Sequence, residues 1–132
     1  MPSTAKGSFT VVTKPVADHG DVDGVRLGRL SLEKQFKGDL AGAGQGEMLT
    51  AMTAFQGSAG YVAIERFTGA LEGRTGSFVF QHTGRMNRGA SELSISVVPD
   101  SGTDGLAGIA GTFTIEKVDG RHTYTFDYTL PE

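Results

Sequence analysis

The chain has 132 residues and a net charge of −3, and 20 of its residues are glycine, about twice the usual share of about 7%. One domain of this length can bury a core, but glycine at this density disfavours long helices because each interior glycine weakens a helix. The negative charge and the lack of any Lys or Arg run longer than two residues exclude a footprint for a phosphate backbone. The lack of cysteine excludes disulfides, thiol nucleophiles and thiolate metal sites.

No segment has the character of a targeting signal or of a membrane span. Residues 1–7 contain no apolar stretch, and nowhere does the chain approach the run of about 18 apolar residues that a membrane helix needs. We therefore expect a cytoplasmic protein that binds neither nucleic acid nor a membrane.

Alternating apolar and polar residues between glycine-rich turns predict eight strands. In chain order they cover about residues 6–14, 25–37, 44–55, 60–68, 76–85, 91–98, 109–118 and 122–130. The second segment alternates most regularly, since Leu30, Leu32 and Phe36 fall on one face.

The third segment also fits a helix. Its residues Met48, Ala51, Met52 and Phe55 are spaced as one helical stripe. The short length of the segment and the glycines on either side of it favour a strand.

Two copies of the pattern Leu-x-Gly-x-x-Gly-x-Phe, at residues 71–78 and 106–113, predict a turn between two strands at each place. The Asp119-Gly120 pair is a further turn signal, typical of a type I′ hairpin. Eight strands joined by such turns indicate an up-and-down barrel or a two-sheet sandwich. A closed barrel is favoured because the first and last strands would otherwise be open edges that pair with other chains.

Glu65 and His82 form the densest cluster of chemically active groups near the first of these turns. If the tip of the turn is at residues 73–74, Glu65 lies opposite His82, and the rings of Phe67 and Phe80 lie beside them. A carboxylate and an imidazole that share a hydrogen bond in apolar surroundings can act as acid and base. The plainer interpretation is a structural or solvent-exposed pair, and a slip of one residue in register would separate the two groups.

The last predicted strand places Tyr124, Phe126 and Tyr128 on one face. Such a stripe either lines a ligand cavity or packs in the core. Both interpretations remain open at the level of the sequence.

Two segments rich in glycine or acidic residues resemble ligand loops but lack their defining residues. Residues 19–24 depart from a calcium loop because the first ligand position holds His19 and the position of the bidentate Glu holds Leu30. Residues 42–46 contain three glycines but no Lys-Ser/Thr pair follows them, which argues against a phosphate loop. We therefore predict no metal site and no cofactor.

Several longer segments together resemble a family of small bacterial proteins of unknown function. They are residues 9–11, 36–42, 65–69, 76–84, 97–103 and 106–111, so that the match extends over nearly the whole chain. That family is similar in architecture to allene oxide cyclase, an eight-stranded antiparallel barrel that also resembles the dirigent proteins. The resemblance implies a calycin-like barrel whose mouth or lumen holds a small apolar molecule, but it implies no activity and no individual catalytic residue.

We predict a single all-β domain over residues 1–132, an eight-stranded antiparallel up-and-down barrel that binds a small, largely apolar ligand in its lumen without a cofactor. Glu65 and His82 are expected to orient the ligand. The aromatic side chains expected to line the cavity are Phe67, Phe78, Phe80, Tyr124 and Phe126.

Two other functions are also compatible with the sequence. In the first, the protein is a cofactor-free isomerase or cyclase in which Glu65 stabilises positive charge or moves a proton. In the second, it is a homo-oligomeric structural or interaction protein whose lumen is filled by its own side chains, since an eight-stranded barrel is narrow enough for that.

Overall fold

The structure, a computed structural model, describes residues 2–131 and forms one closed sheet. Each strand pairs antiparallel with its neighbour in sequence, and the first pairs with the last, which confirms the predicted eight-stranded up-and-down barrel. The more specific similarity to allene oxide cyclase stays a prediction. The strands are β1 (Pro2–Val22), β2 (Val25–Gly38), β3 (Leu40–Met52), β4 (Ala59–Leu71), β5 (Arg74–Asn87), β6 (Ala90–Val97), β7 (Ala110–Val118) and β8 (Arg121–Thr129).

The ambiguous third segment is a strand, as the flanking glycines favoured. It forms β3, which begins earlier than predicted, at Leu40, and ends at Met52. Phe55 lies beyond it in the connection to β4 and is half exposed. Pairing of β3 with β4 over its whole length, and with β2 from Gly42 to Met52, explains why a helical spacing of apolar residues did not produce a helix.

Four hairpins use two-residue turns in which both residues have positive φ, the type I′ geometry that suits the twist of the flanking strands. The Asp119-Gly120 turn, with φ of 50° and 77°, confirms the predicted hairpin. The first Leu-x-Gly motif also forms a turn, but its tip is Glu72-Gly73, one residue earlier than predicted. The four turns are Asp23-Gly24, Glu72-Gly73, Arg88-Gly89 and Asp119-Gly120.

The second Leu-x-Gly motif does not join two strands, so that prediction was wrong. Leu106 ends a short 3₁₀ helix (Asp104–Leu106), and β7 begins only at Ala110. The connection from β6 runs along β5, where the Thr103 amide donates a hydrogen bond to the Ser77 carbonyl at 2.9 Å. Leu106 is fully buried and closes this end of the barrel. None of the helical structure in residues 2–131 is long and apolar enough to cross a membrane.

Aromatic rings fill the closed end and the middle of the barrel. Every ring in this group is at most 8% exposed. Phe80 lies near the centre of the group, with ring centroids 4.9 Å from both Phe78 and Phe113. The rings belong to Phe9, Phe36, Phe67, Phe78, Phe80, Phe113, Tyr124, Phe126 and Tyr128.

The opposite end of the barrel is open because its strands differ in length. The pairing of β1 with β8 ends at Phe9 and His122, whereas β1 continues to Val22. The long strands β1 to β5 therefore rise above the end of the β7–β8 hairpin. Together with β6 they form a wall around one side of a mouth.

We expect Phe80→Ala to lower the free energy of unfolding by about 3–5 kcal/mol, because the lost ring leaves a cavity among packed aromatic neighbours. Urea denaturation followed by circular dichroism measures this change. Phe55→Ala is the matched control, since Phe55 is 52% exposed and its loss should cost less than about 1 kcal/mol. Equal costs for the two variants would contradict the assignment of Phe80 to the core.

Candidate functional site

Glu65 on β4 and His82 on β5 are in contact, although not as directly opposed residues. Glu65 pairs with Phe80, and His82 pairs with Ala63. The predicted register was wrong because the turn between these strands has its tip one residue earlier. The difference moves each partner by two positions, which keeps both side chains on the inner face. They meet diagonally, with His82 Nε2 2.8 Å from Glu65 Oε1.

Lys34 on β2 completes a polar triad with Glu65 and His82. Lys34 Nζ donates a hydrogen bond to the same Glu65 oxygen, Oε1, at 3.0 Å. The ammonium group also lies 4.8 Å from the centre of the Phe9 ring, within the range of a cation–π interaction. All three residues of the polar triad are at most 5% exposed. The arrangement places a buried ion pair and an imidazole directly beside the aromatic core.

Lys34 is not among the residues predicted for the site, although the sequence contains a signal for it. Lys34 lies between Leu32 and Phe36 at the spacing that places all three on the inner face of β2. A charged residue within an otherwise apolar face needs a partner, and lysine is almost never fully buried without one. That partner, Glu65, comes from a strand that is distant in sequence, so alternation alone could not identify it.

Gly44 on β3 makes room for the carboxylate of Glu65. A Cβ atom at this position would lie only 2.1 Å from Glu65 Oε2 and 3.0 Å from the Phe36 ring. Oε2 is buried and has no hydrogen-bond partner among residues 2–131, whereas Oε1 accepts from both Lys34 and His82. The carboxylate is therefore held through one oxygen, and the other faces the bare backbone of β3.

A lowered pKa keeps Glu65 ionised at neutral pH. Burial alone would raise the pKa of its carboxyl group, but the hydrogen bond from His82 and the charge of Lys34 outweigh burial and lower the pKa below its usual value. An ionised carboxylate only accepts hydrogen bonds, so the Nε2–H of His82 is the donor in their contact.

The mouth of the barrel contains a cavity of about 340 Å³ directly above this level, which we call the mouth cavity. Its lining is almost entirely apolar and comes from the inner faces of β3, β4, β5 and β6. The residue below Tyr61 on the inner face of β4 is Ala63, the partner of His82. The main lining side chains are Met48, Met52, Ala59, Tyr61, Met86 and Leu93.

Few polar groups border the mouth cavity. Arg85 and Glu92 form an exposed ion pair at its rim, with 3.1 Å between Arg85 Nη2 and Glu92 Oε2. Burial raises the pKa of the Tyr61 hydroxyl, and the negative charge of Glu65 raises it further. The hydroxyl of Tyr61 is thus a protonated group that can donate a hydrogen bond near the bottom of an apolar space.

The aromatic residues expected to surround a ligand are packed against one another in the core instead. Each is at most 3% exposed, and none lines the mouth cavity. Their rings already occupy the lumen, since the interior of an eight-stranded barrel is narrow enough for side chains to fill. These residues are Phe67, Phe78, Phe80, Tyr124 and Phe126.

The two segments that resembled ligand loops are parts of the sheet. Residues 19–22 belong to β1, and Asp23 begins the turn to β2. Residues 42–46 lie inside β3 and pair on both sides. Between residues 2 and 131, no group of three or more histidine, aspartate or glutamate side chains is arranged to hold a metal ion.

We expect Lys34→Met alone to lower stability by about 3–5 kcal/mol, because it leaves the carboxylate of Glu65 buried without its cation. The triple variant Lys34→Met/Glu65→Leu/His82→Phe should have a free energy of unfolding close to that of the unmodified protein, since it removes all three members of the polar triad together. Urea denaturation at pH 7 measures both. A triple variant as unstable as the single variant would contradict this account.

Acid should weaken the protein through Glu65. Because the pKa of this carboxyl is lower in the folded than in the unfolded chain, its stabilising effect is complete above the unfolded value of about 4.3 and is lost as the pH falls through the folded value. We therefore expect the unmodified protein to lose more stability between pH 7 and about pH 3 than the triple variant does. Parallel losses in the two proteins would contradict the lowered pKa.

Comparisons with known proteins agree with this architecture. A family model for proteins of unknown function, DUF3224, matches residues 5–128. The crystal structure of a DUF3224 protein of unknown function from Shewanella oneidensis MR-1 superimposes on this chain with a TM-score of 0.95. The two sequences are 46% identical, and the match covers 100% of this chain and 99% of the other. A comparison with curated proteins gave no significant match. The resemblance found in the sequence is thus confirmed, and the chain belongs to the DUF3224 family.

Proposed function

We propose that this protein binds a small, largely apolar molecule in the mouth cavity. The observation that carries the proposal is a concave space of about 340 Å³ with an almost wholly apolar lining, open at one end of an otherwise filled barrel. Ligand sites commonly have volumes of about 300–1,000 Å³ and combine apolar walls with a few polar groups. When an apolar molecule displaces water from an apolar cavity of this kind, the free energy of the system falls, which favours binding.

The lining suits a ligand whose shape is not matched rigidly. Met48, Met52 and Met86 contribute flexible side chains, and Met52 and Met86 remain about half exposed. Methionine adapts its conformation to irregular apolar surfaces. Tyr61 supplies a hydroxyl donor, so we propose a ligand with an apolar body and one uncharged acceptor group.

Glu65 and His82 remain in this proposal as residues that hold the base of the site. The Nε2–H of His82 is committed to Glu65, which leaves Nδ1 as the ring nitrogen that can interact with a ligand. His82 occupies the inner-face position next to Gly84, a residue that lines the mouth cavity. The role proposed for Glu65 is to set the orientation of that imidazole.

Binding is a better account than isomerisation or cyclisation. A catalytic carboxylate must reach the reacting atoms, whereas Glu65 is fully buried and its Oε1 atom already accepts two hydrogen bonds. Its second oxygen faces the backbone at Gly44.

The test uses the neutral fluorescent probe N-phenyl-1-naphthylamine, whose emission rises in apolar surroundings. We expect saturable binding to the unmodified protein and at least tenfold weaker binding to Met86→Lys, which places a charge in the apolar lining. Met86 is 42% exposed, so this variant should fold.

Val62→Lys is the matched control, because it adds the same charge at a half-exposed position on the outer face of the neighbouring strand. It should bind the probe like the unmodified protein. Absence of saturable binding to the unmodified protein, or equal binding by Met86→Lys, would reject the proposal.

A further inference from the structure

The outer face of the long strands carries an apolar stripe that the mouth cavity does not use. Its members come from three adjacent strands, β2, β3 and β4, and each is about half exposed. Two of its members, Leu49 and Val62, lie directly opposite each other. Leu27 and Ile64 lie in the outward-facing rows of paired residues on either side of them, so that the four form one continuous surface. We call Leu27, Leu49, Val62 and Ile64 the outer stripe.

We propose that the outer stripe is the surface through which copies of this chain associate with each other. The stripe lies on the outside of the segment whose inner face lines the mouth cavity. A sheet that is apolar on both faces is usually covered on both faces. Contiguous exposed apolar patches also mark interaction sites on soluble proteins.

The charges around the outer stripe favour a second copy as the partner. The outward-facing charged residues of β2 to β4 within these rows are two arginines and two glutamates, and Arg85 on β5 is already paired with Glu92, so the face is neutral although the chain carries −3. A neutral face gives no electrostatic attraction to an anionic nucleic acid or membrane. Two copies can pair the acids of one with the bases of the other. The four residues are Arg29, Glu33, Glu47 and Arg66.

The Arg29–Glu47 pair is incomplete within one chain. Arg29 Nε lies 3.0 Å from Glu47 Oε1, yet this buried donor makes no hydrogen bond among residues 2–131. Both side chains keep about half of their surface exposed, at 43% and 58%. The exposed parts of these two side chains, rather than the buried Nε atom, can therefore meet the opposite charges of a second copy.

The size of the face indicates a reversible association. The rows from Leu27 to Glu33, taken across β2 to β5, cover roughly 19 by 20 Å at the usual strand spacing of about 4.8 Å and rise of about 3.4 Å. Two such faces bury about 760 Å² in total, below the roughly 1,000 Å² that stable specific interfaces exceed and within the range of weak, transient contacts. Val12 on β1 opposes Glu33, is 52% exposed and extends the apolar area. We therefore expect an oligomer whose population rises with protein concentration.

Sedimentation velocity and light scattering from about 1 to about 200 µM protein test the proposal. We expect the mass of the unmodified protein to rise from that of a monomer to a multiple of it. Val62→Lys should remain a monomer throughout, because its charge would be buried against an apolar partner.

Two control variants separate this surface from other causes. Thr114→Lys adds the same charge at an exposed position on β7, far along the sheet from the outer stripe, and should associate normally. Met86→Lys should also associate normally, so that failure of ligand binding and failure of association are distinguishable. A chain that stays monomeric at about 200 µM would overturn the proposal, even if the outer stripe were found to bind a different partner. Unchanged association of Val62→Lys would overturn it as well.

Discussion

The buried carboxylate of Glu65 constrains how the strands of this barrel meet in its interior. It carries a charge beside an apolar core and is compensated by Lys34 and His82 through a single oxygen. Because a buried charge that loses its partner destabilises a protein by several kcal/mol, β2, β4 and β5 must keep the register that unites the three groups. Gly44 on β3 leaves the space that the carboxylate occupies. Four consecutive strands are thus tied together at one level.

This level divides the barrel into two parts with different roles. On one side of it the aromatic rings fill the lumen, as expected for a barrel of eight strands. On the other side the strands that extend beyond β7 and β8 surround the mouth cavity, which their methionines line. The mouth cavity therefore comes from unequal strand lengths, since the lumen of the closed barrel is already occupied.

The same extension carries both of the surfaces proposed to bind. Its inner face is concave and suits a small molecule, whereas its outer face is a gently twisted, neutral surface that suits another copy of the chain. Met86 and Val62 lie on adjacent strands but on opposite faces. One lysine at either position therefore separates the two proposed functions experimentally.

The amino-acid pattern by itself determined the number and approximate positions of the strands, the turns at the first Leu-x-Gly motif and at Asp119-Gly120, and the inner position of Glu65 and His82. These are local properties, because alternation and turn residues depend on neighbours in sequence, and a two-residue shift in register keeps a side chain on its face. Only the tertiary structure decided that Lys34 joins them and that the predicted ligand-lining rings fill the lumen. It also decided that two copies of one Leu-x-Gly motif fold differently, because the second is held against β5. Those outcomes depend on which strands meet, and pairing between distant segments is not encoded in local periodicity.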